Sequence, residues 1–448
     1  VSRFLFAAHP TVGHTQALRA VGRALLARGH EVRFALPDLK RPPSFLALPA
    51  ALRSSFELPE SIERDGFTRV ALPTRLRTAY YAFRVARARG YEELGWALRL
   101  FMDDVVRITQ ALERELAARP AEVVVADCFH YGSALAAERA GIPFVPVFHS
   151  GLPFPVPGGV PFGMPLAPSG RVQGEREERS QREEAQRSLE TLTRRVDGEI
   201  ARARRALALP PAPPGMTLRP HGKALNVLTT FEAFEEPRPD LVASALGPLL
   251  FAGPCLGTRP EVPFPWDRIE TGGPNVYISL GTVFNDQPAI YRTLIEGVHG
   301  LGGEARAIVS AGASLEALRP LMRPRDVLVR FAPQLELLSK VDVAIVHGGN
   351  NSTNEALRAG TPMLLVPFGG EQAANARRAQ KIAGAQAIAP ESLTNERVTM
   401  ALRLLLSAEA RERSRALAAA VPQEDGVPRV VAALEALIDR RSPERPTR

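Results

Sequence analysis

Short buried-looking strands alternate with segments carrying apolar residues at helical spacing in two separate halves of this chain, and that alternation restricts it to a layered α/β architecture with parallel sheets. In the first half, residues 3–8 form a strand-like run. Residues 16–27 follow with Ala17, Leu18, Val21 and Leu25 on one helical face, and Gly29 stops that helix before a strand at 32–36. A strand at 122–126, a helix at 133–140 ended by Gly141 and a strand at 143–148 repeat the pattern. The second half places strands at 276–280, 305–310, 327–331, 343–347 and 363–367 with helical patterns between them. Each half is expected to form a doubly wound sheet.

A chain of 448 residues is longer than one hydrophobic core usually serves. The expected division is a first domain over 1–253, a linker over 254–274, a second domain over 275–425, and a C-terminal helix and tail over 426–448. The linker is read from Pro254, Gly257, Pro260, Pro263 and Pro265 in a stretch without periodicity. Pattern alone does not place the apolar-periodic helix at 430–437. Residues 153–168, rich in Pro and Gly, are read as a loop. The helix through Leu189, Leu192, Val196, Ile200, Ala203 and Leu207 that follows could cover a ligand cleft.

The net charge of +8 does not imply a nucleic-acid partner. Basic and acidic residues interleave, as in Arg176-Glu177-Glu178-Arg179, where a binding surface would show a one-signed stripe. Two cysteines, Cys128 and Cys255, make neither a disulfide framework nor a zinc site in so long a chain. Nothing requires an oxidising compartment, so the expected location is cytoplasmic. No stretch approaches the roughly 20 apolar residues of a membrane helix, and no membrane anchor is expected. Asp103-Asp104 lacks the spacing of a metal-binding D-x-D pair and is read as solvated helix charge; neither a metal nor another cofactor is expected.

The stretch richest in chemistry is 343–360. A buried strand there runs into His347-Gly348-Gly349-Asn350-Asn351-Ser352-Thr353 and then into a helix ended by Gly360. Glycines let backbone amides approach an anion, a helix N-terminus carries partial positive charge, and Ser352 or Thr353 can donate to an oxygen. Capping residues after a tight turn would look the same. What distinguishes the two is the flanks: Phe331-Ala332-Pro333-Gln334 upstream, Glu355 inside the helix, and Glu371-Gln372 after the next strand.

With those flanks, residues 331–372 resemble the donor-binding signature of the large glycosyltransferase family that includes plant and microbial natural-product glycosyltransferases, and weaker similarity extends over nearly the whole chain. The resemblance implies the GT-B fold, two facing Rossmann-like doubly wound domains with a cleft between them. It further implies that Phe331 stacks on the base where plant members usually have Trp, that Gln334 lies by the base, and that His347, Gly349, Asn351 and Ser352 hold the diphosphate. Glu355 would bind ribose hydroxyls, which favours uridine diphosphate over thymidine diphosphate because the latter lacks a 2′-hydroxyl. Glu371 and Gln372 match the pair that grips the sugar, with Glu371 in place of the usual Asp and Gln372 pointing to glucose. Ser279-Leu280-Gly281-Thr282 resembles the first loop of the donor domain, with Gly281 and Thr282 near the phosphates.

In the first half, His9-Pro10-Thr11-Val12-Gly13-His14 follows the opening strand, at the edge of the sheet where ligands bind. Its single glycine excludes a dinucleotide-binding fingerprint, which needs three. The loop resembles the family's Gly-His motif, with Ala17 where a Pro is usual. This implies that His14 is the base that deprotonates an acceptor hydroxyl and that Asp127, at the matching strand end, orients it. His9, His130 and His149 also lie at strand ends and are alternatives for the base. Cys128 is read as a small buried hydrophobe. Tyr80, Tyr81, Phe83, Phe129 and Phe154 are candidates to line an apolar acceptor pocket, or plain core.

The implied reaction is an inverting single displacement that moves a hexose from a UDP-sugar to a hydroxyl of a small apolar polyketide, terpenoid or phenolic. Alternatives are a dTDP-deoxysugar transferase, a sugar-nucleotide epimerase of the same fold, a cell-wall amino-sugar transferase, and a non-catalytic binding protein.

Overall fold

The computed structural model describes residues 1–38, 50–88, 90–149, 152, 160–166, 175–212, 222–235, 247–259, 261–269, 272–281 and 286–440. They form two parallel sheets covered by helices. The first is built from β1 (Arg3–Ala7), β2 (Glu31–Pro37), β3 (Thr68–Leu72), β4 (Val123–Asp127), β5 (Phe144–Phe148), β6 (Asn226–Leu228) and β7 (Leu249–Phe251), in the order β3-β2-β1-β4-β5-β6-β7. The second uses β8 (Asn275–Ser279), β9 (Arg306–Ser310), β10 (Val327–Val329), β11 (Val343–Val346), β12 (Met363–Leu365) and β13 (Gln386–Ala387), in the order β10-β9-β8-β11-β12-β13. In each sheet the order reverses once, between β1 and β4 and between β8 and β11. The loops leaving those strands part there and open a crevice.

The central strands are apolar on both faces because helices cover both. Phe4 and Phe6 of β1 enter one core layer with Leu18, Val21 and Leu25 of α1 (Val12–Ala27), whereas Leu5 and Ala7 enter another with Leu112 and Ala136. The register sets Phe4 beside Val32 of β2 and Val123 of β4. In the second sheet Val276 and Ile278 face one layer and Tyr277 the other.

The final helix, Val427–Asp439, crosses back to the first sheet. Val430, Val431 and Leu434 share a core with Leu18 and Val21, and Glu435 pairs with Arg28 and His30. Asp425, just before it, accepts from the backbone N–H groups of Leu256 and Gly257. Among the described residues no helix is long and apolar enough to cross a membrane.

Four of the described strands, β3, β6, β7 and β13, were not expected from pattern. β6, β7 and β13 are two or three residues long, too short for a period to register, and β3 lies in a stretch of weak periodicity. Asp103 and Asp104 also differ from expectation. Helices α2 (Ala50–Arg64) and α3 (Leu76–Arg87) lead to α4 (Gly90–Phe101) and α5 (Val105–Ala118), and the two aspartates sit buried in the turn between α4 and α5, with Asp104 in the left-handed region at φ 57°. Arg77 and Thr78 hold Asp103 at 2.6 Å, and Arg75 holds Asp104 at 2.5 Å. These charges therefore tie helix α3 (Leu76–Arg87) to the following turn instead of facing solvent.

Candidate functional site

At the reversal of the first sheet, the end of β1 and the end of β4 bring His14 and Asp127 together. His14 stands in the first turn of α1, and its Nδ1 is hydrogen-bonded to Oδ2 of Asp127. Asp127 is fully buried, and its Oδ1 also accepts from the backbone N–H of Phe129 at 2.8 Å. In the neutral ring the proton lies on Nδ1, which leaves the Nε2 lone pair as the proton acceptor.

Four of the eight histidines of the chain gather here. The His149 ring lies 3.9 Å from that of His14, with its Nδ1 3.5 Å from Asp127. His9 lies 6.1 Å from His14 and 5.1 Å from His130 between ring centroids. Electrostatics separate their roles. Burial disfavours the charged form of His14, but the charge and hydrogen bond of Asp127 outweigh it and hold its pKa above the ordinary value. Burial pushes His9 down to about 4, and His130 and His149 down to about 3. Although burial also penalises the Asp127 carboxylate, His14 and His149 hold it well below the usual carboxylate range. His14 is thus the ring in this group suited to gain a proton near neutral pH.

His9 and His130 have other work. His9 Nε2 is 3.1 Å from the Phe129 carbonyl, and His130 Nδ1 is 2.7 Å from the Ser133 hydroxyl.

In the second sheet, the loops after β8 and β11 meet at its reversal, and glycines shape the contact. A side chain on Gly281 would lie 2.5 Å from the His347 ring, and one on Gly349 would lie 2.4 Å from it. The ring is thereby clasped between two backbones, with its buried Nδ1 lacking a hydrogen-bond partner and its pKa lowered to about 4 by burial. The helix Asn350–Ala359 starts next; Gly349 gives it no side-chain cap, and the Asn350 backbone N–H bonds the Glu371 carboxylate.

Gly349→Ala tests this clasp. Its backbone, φ −62° and ψ 145°, suits alanine, so the only injury is displacement of His347. Affinity for a nucleotide diphosphate measured calorimetrically is expected to fall about tenfold while the circular-dichroism spectrum stays unchanged.

The remaining residues singled out in this half lie around that helix. Gln334 donates to Glu355 at 2.6 Å and to Ser352 at 3.2 Å, and accepts from the Tyr277 hydroxyl at 3.0 Å. Glu355 also pairs with Arg259 at 2.5 Å. Phe331 is 56% exposed, an open aromatic platform. The Gln372 side-chain carbonyl accepts from the Phe368 backbone N–H at 2.8 Å. Glu371 has its pKa raised by burial, opposed by backbone N–H groups and by His14. Thr282 lies outside the described residues, as does Phe154.

Both crevices open onto one cleft. Asn351 donates to Gln16, two residues beyond His14, at 3.0 Å. Asn350 donates to the Thr229 carbonyl at 3.1 Å, Thr230 donates to Asn354 at 3.0 Å, and the Gly370 N–H donates to Glu93 of α4 at 2.9 Å. His14 therefore faces the start of the Asn350–Ala359 helix and the Glu371–Gln372 loop.

Of the proposed acceptor residues, Phe129 is at this cleft, stacked on Phe101 at 5.2 Å. Phe101 is itself 5.7 Å from the His14 ring. Tyr80 and Tyr81 make their ring contacts with each other and with Trp96, and Arg87 lies over Phe83 at 4.3 Å. Tyr80 is 49% exposed. Phe101, Gln16, Glu93 and Arg259 were not singled out from sequence. Gln16 lies two residues beyond the Gly-His motif on α1, whereas Phe101, Glu93 and Arg259 reach the cleft from segments without a motif.

Residues 270–417 match the family model described as UDP-glucoronosyl and UDP-glucosyl transferase. The chain is 27% identical to 4'-demethylrebeccamycin synthase of Lentzea aerocolonigenes over 81% of its own length and 82% of that protein's. It is 33% identical to demethyllactenocin mycarosyltransferase of Streptomyces fradiae, over 33% of this chain and 32% of that protein. In several such matches the chain spans about a third of the length of the curated relative. In fold it is similar to CalG4, the calicheamicin glycosyltransferase, with a TM-score of 0.71 and 20% identity, covering 99% of both chains.

Proposed function

We propose that this chain is a glycosyltransferase of the GT-B natural-product type, a reading supported by the match of residues 270–417 to the UDP-glucoronosyl and UDP-glucosyl transferase model, and that it moves a hexose, glucose in the first place, from a UDP-sugar to a hydroxyl of a small apolar acceptor. The observation that carries the reading is the His14–Asp127 pair facing the N-terminus of the Asn350–Ala359 helix across one cleft, joined by the Gln16–Asn351 hydrogen bond. A base on one wall and an anion-binding helix on the other are what a displacement at an anomeric carbon needs.

In this reading the acceptor lies against Phe101 and Phe129, and Nε2 of His14 takes its hydroxyl proton. The oxygen attacks the anomeric carbon from the face opposite the diphosphate, so a single displacement inverts the configuration. Asp127 stabilises the imidazolium that forms. Charge on the leaving diphosphate is met by His347, Ser352, Asn351 and the helix amides, a role a metal ion plays in other enzymes, and this reading requires neither a metal nor another cofactor. Glu371 and Gln372 orient the sugar, Phe331 stacks on the base and Glu355 receives the ribose.

The name of the mycarosyltransferase relative favours a second reading, in which the donor carries a sugar other than glucose. A thermal-shift panel with UDP, dTDP, GDP and NAD separates the possibilities, because a ligand at 100 times its dissociation constant stabilises by about 2.7 kcal/mol. A shift with UDP, followed by glucose transfer from UDP-glucose in an acceptor screen, is the expected result. A shift with NAD alone would overturn the donor-site assignment, and transfer only from dTDP-sugars would favour the second reading.

A further inference from the structure

Glu355 is buried in the donor crevice and held on both carboxylate oxygens. Its side chain is 1% exposed; one carboxylate oxygen accepts from Arg259 Nη2 at 2.5 Å and the other from Gln334 Nε2 at 2.6 Å. The Gln334 amide is held in that orientation by the Tyr277 hydroxyl on its carbonyl. Arg259 comes from the segment between β7 and β8, outside the 331–372 signature, and its buried Nε has no hydrogen-bond partner. A charged donor from outside the signature is thus fixed on the carboxylate assigned to the ribose.

We propose that Arg259 sets the nucleotide breadth of this site: by holding one oxygen of Glu355, it keeps the carboxylate paired whether or not the bound sugar has a 2′-hydroxyl, so ribo- and deoxyribonucleoside diphosphates both bind. The inference rests on the reading of Glu355 as the ribose ligand. A carboxylate has about four acceptor positions, and Arg259 and Gln334 occupy one on each oxygen, which leaves room for both hydroxyls of a ribose. With a deoxyribose only one hydroxyl arrives. In a site without Arg259, the oxygen facing the missing group would be a buried charge lacking a donor, and sites built around a hydroxyl reject the analogue without it strongly. With Arg259 present, that oxygen keeps a charge-assisted hydrogen bond. The selectivity for ribose that Glu355 alone would impose is therefore relaxed.

The test compares UDP with 2′-deoxy-UDP, which differ only in that hydroxyl, by calorimetric titration of the full chain and its Arg259→Ala and Arg259→Lys variants. The ratio of the two dissociation constants cancels any uniform loss of affinity. The unaltered protein is expected to bind both within about tenfold, Arg259→Ala to widen the ratio by about tenfold or more, and Arg259→Lys to restore much of the tolerance. An unchanged ratio in Arg259→Ala would defeat the inference and leave the donor site standing. Tighter UDP binding in that variant would also defeat it, since Arg259 would then be blocking the ribose. If the unaltered protein binds neither nucleotide, the donor-site reading fails and this inference with it.

Discussion

Replacing His14 with alanine is expected to lower kcat/KM for sugar transfer by about 10²–10⁴-fold, the range that a positioned general base contributes, while the dissociation constant for UDP stays within about twofold. The two effects separate because His14 belongs to the β1 wall of the cleft, whereas His347, Ser352 and the helix amides proposed to hold the donor belong to the other. The ring is partly exposed in the first turn of α1 and is not among the residues of the core beneath it, so the fold should survive. Initial rates with UDP-glucose and a titration with UDP on the same preparation give both numbers. Near-normal turnover in the variant would remove His14 from the mechanism and turn attention to His149, whose ring is 3.9 Å away.

Asp127→Asn should be nearly as damaging, with a pH signature that identifies the cause. Asp127 holds the pKa of His14 above its ordinary value of 6.5 against the effect of burial. A general base works in its deprotonated form, so kcat/KM should rise with pH through a pKa above 6.5 and then level off. An asparagine removes the charge and leaves burial, the largest single influence on His14, opposed only by Glu371 and Glu93; burial already dominates for His149 and His9. The acid limb should therefore move to lower pH, while the plateau falls by about 10²–10⁴-fold because the base is weaker and its tautomer no longer fixed. A lower plateau with an unmoved limb would mean that the titrating group is not His14.

The signs in these predictions depend on an environment that no local stretch of sequence contains. As a loop histidine His14 has an ordinary pKa. Its elevation comes first from a carboxylate 113 positions away, brought near because β1 and β4 are neighbours at the reversal of the first sheet, and then from Glu371 and Glu93 across the cleft. His130, only three residues beyond that same Asp127, is pushed the other way by burial.

Much of this was legible along the chain because it is local. Strand and helix periods, the glycines that end helices at Gly141 and Gly360, and the run from His347 to Thr353 are patterns over a few residues, and the physics that makes them is backbone geometry and the burial of one face. They were enough to specify two parallel α/β units and to set His14, Asp127 and the His347–Thr353 run just beyond strands; the roles read for those residues came from the family resemblance. The tertiary structure alone decided what depends on packing between distant segments. It returned the Val427–Asp439 helix to the first sheet, since an apolar stripe does not encode which groove it fills. Asp103 and Asp104 became buried ties because Arg75, Arg77 and Thr78, at the start of α3, reached them. Phe101, rather than Tyr80 or Tyr81, came to stand beside His14, and Arg259 to lie on Glu355. Sequence determined which chemical groups were available at the ends of strands; long-range packing decided which of them met, because contact and desolvation are properties of neighbours in space.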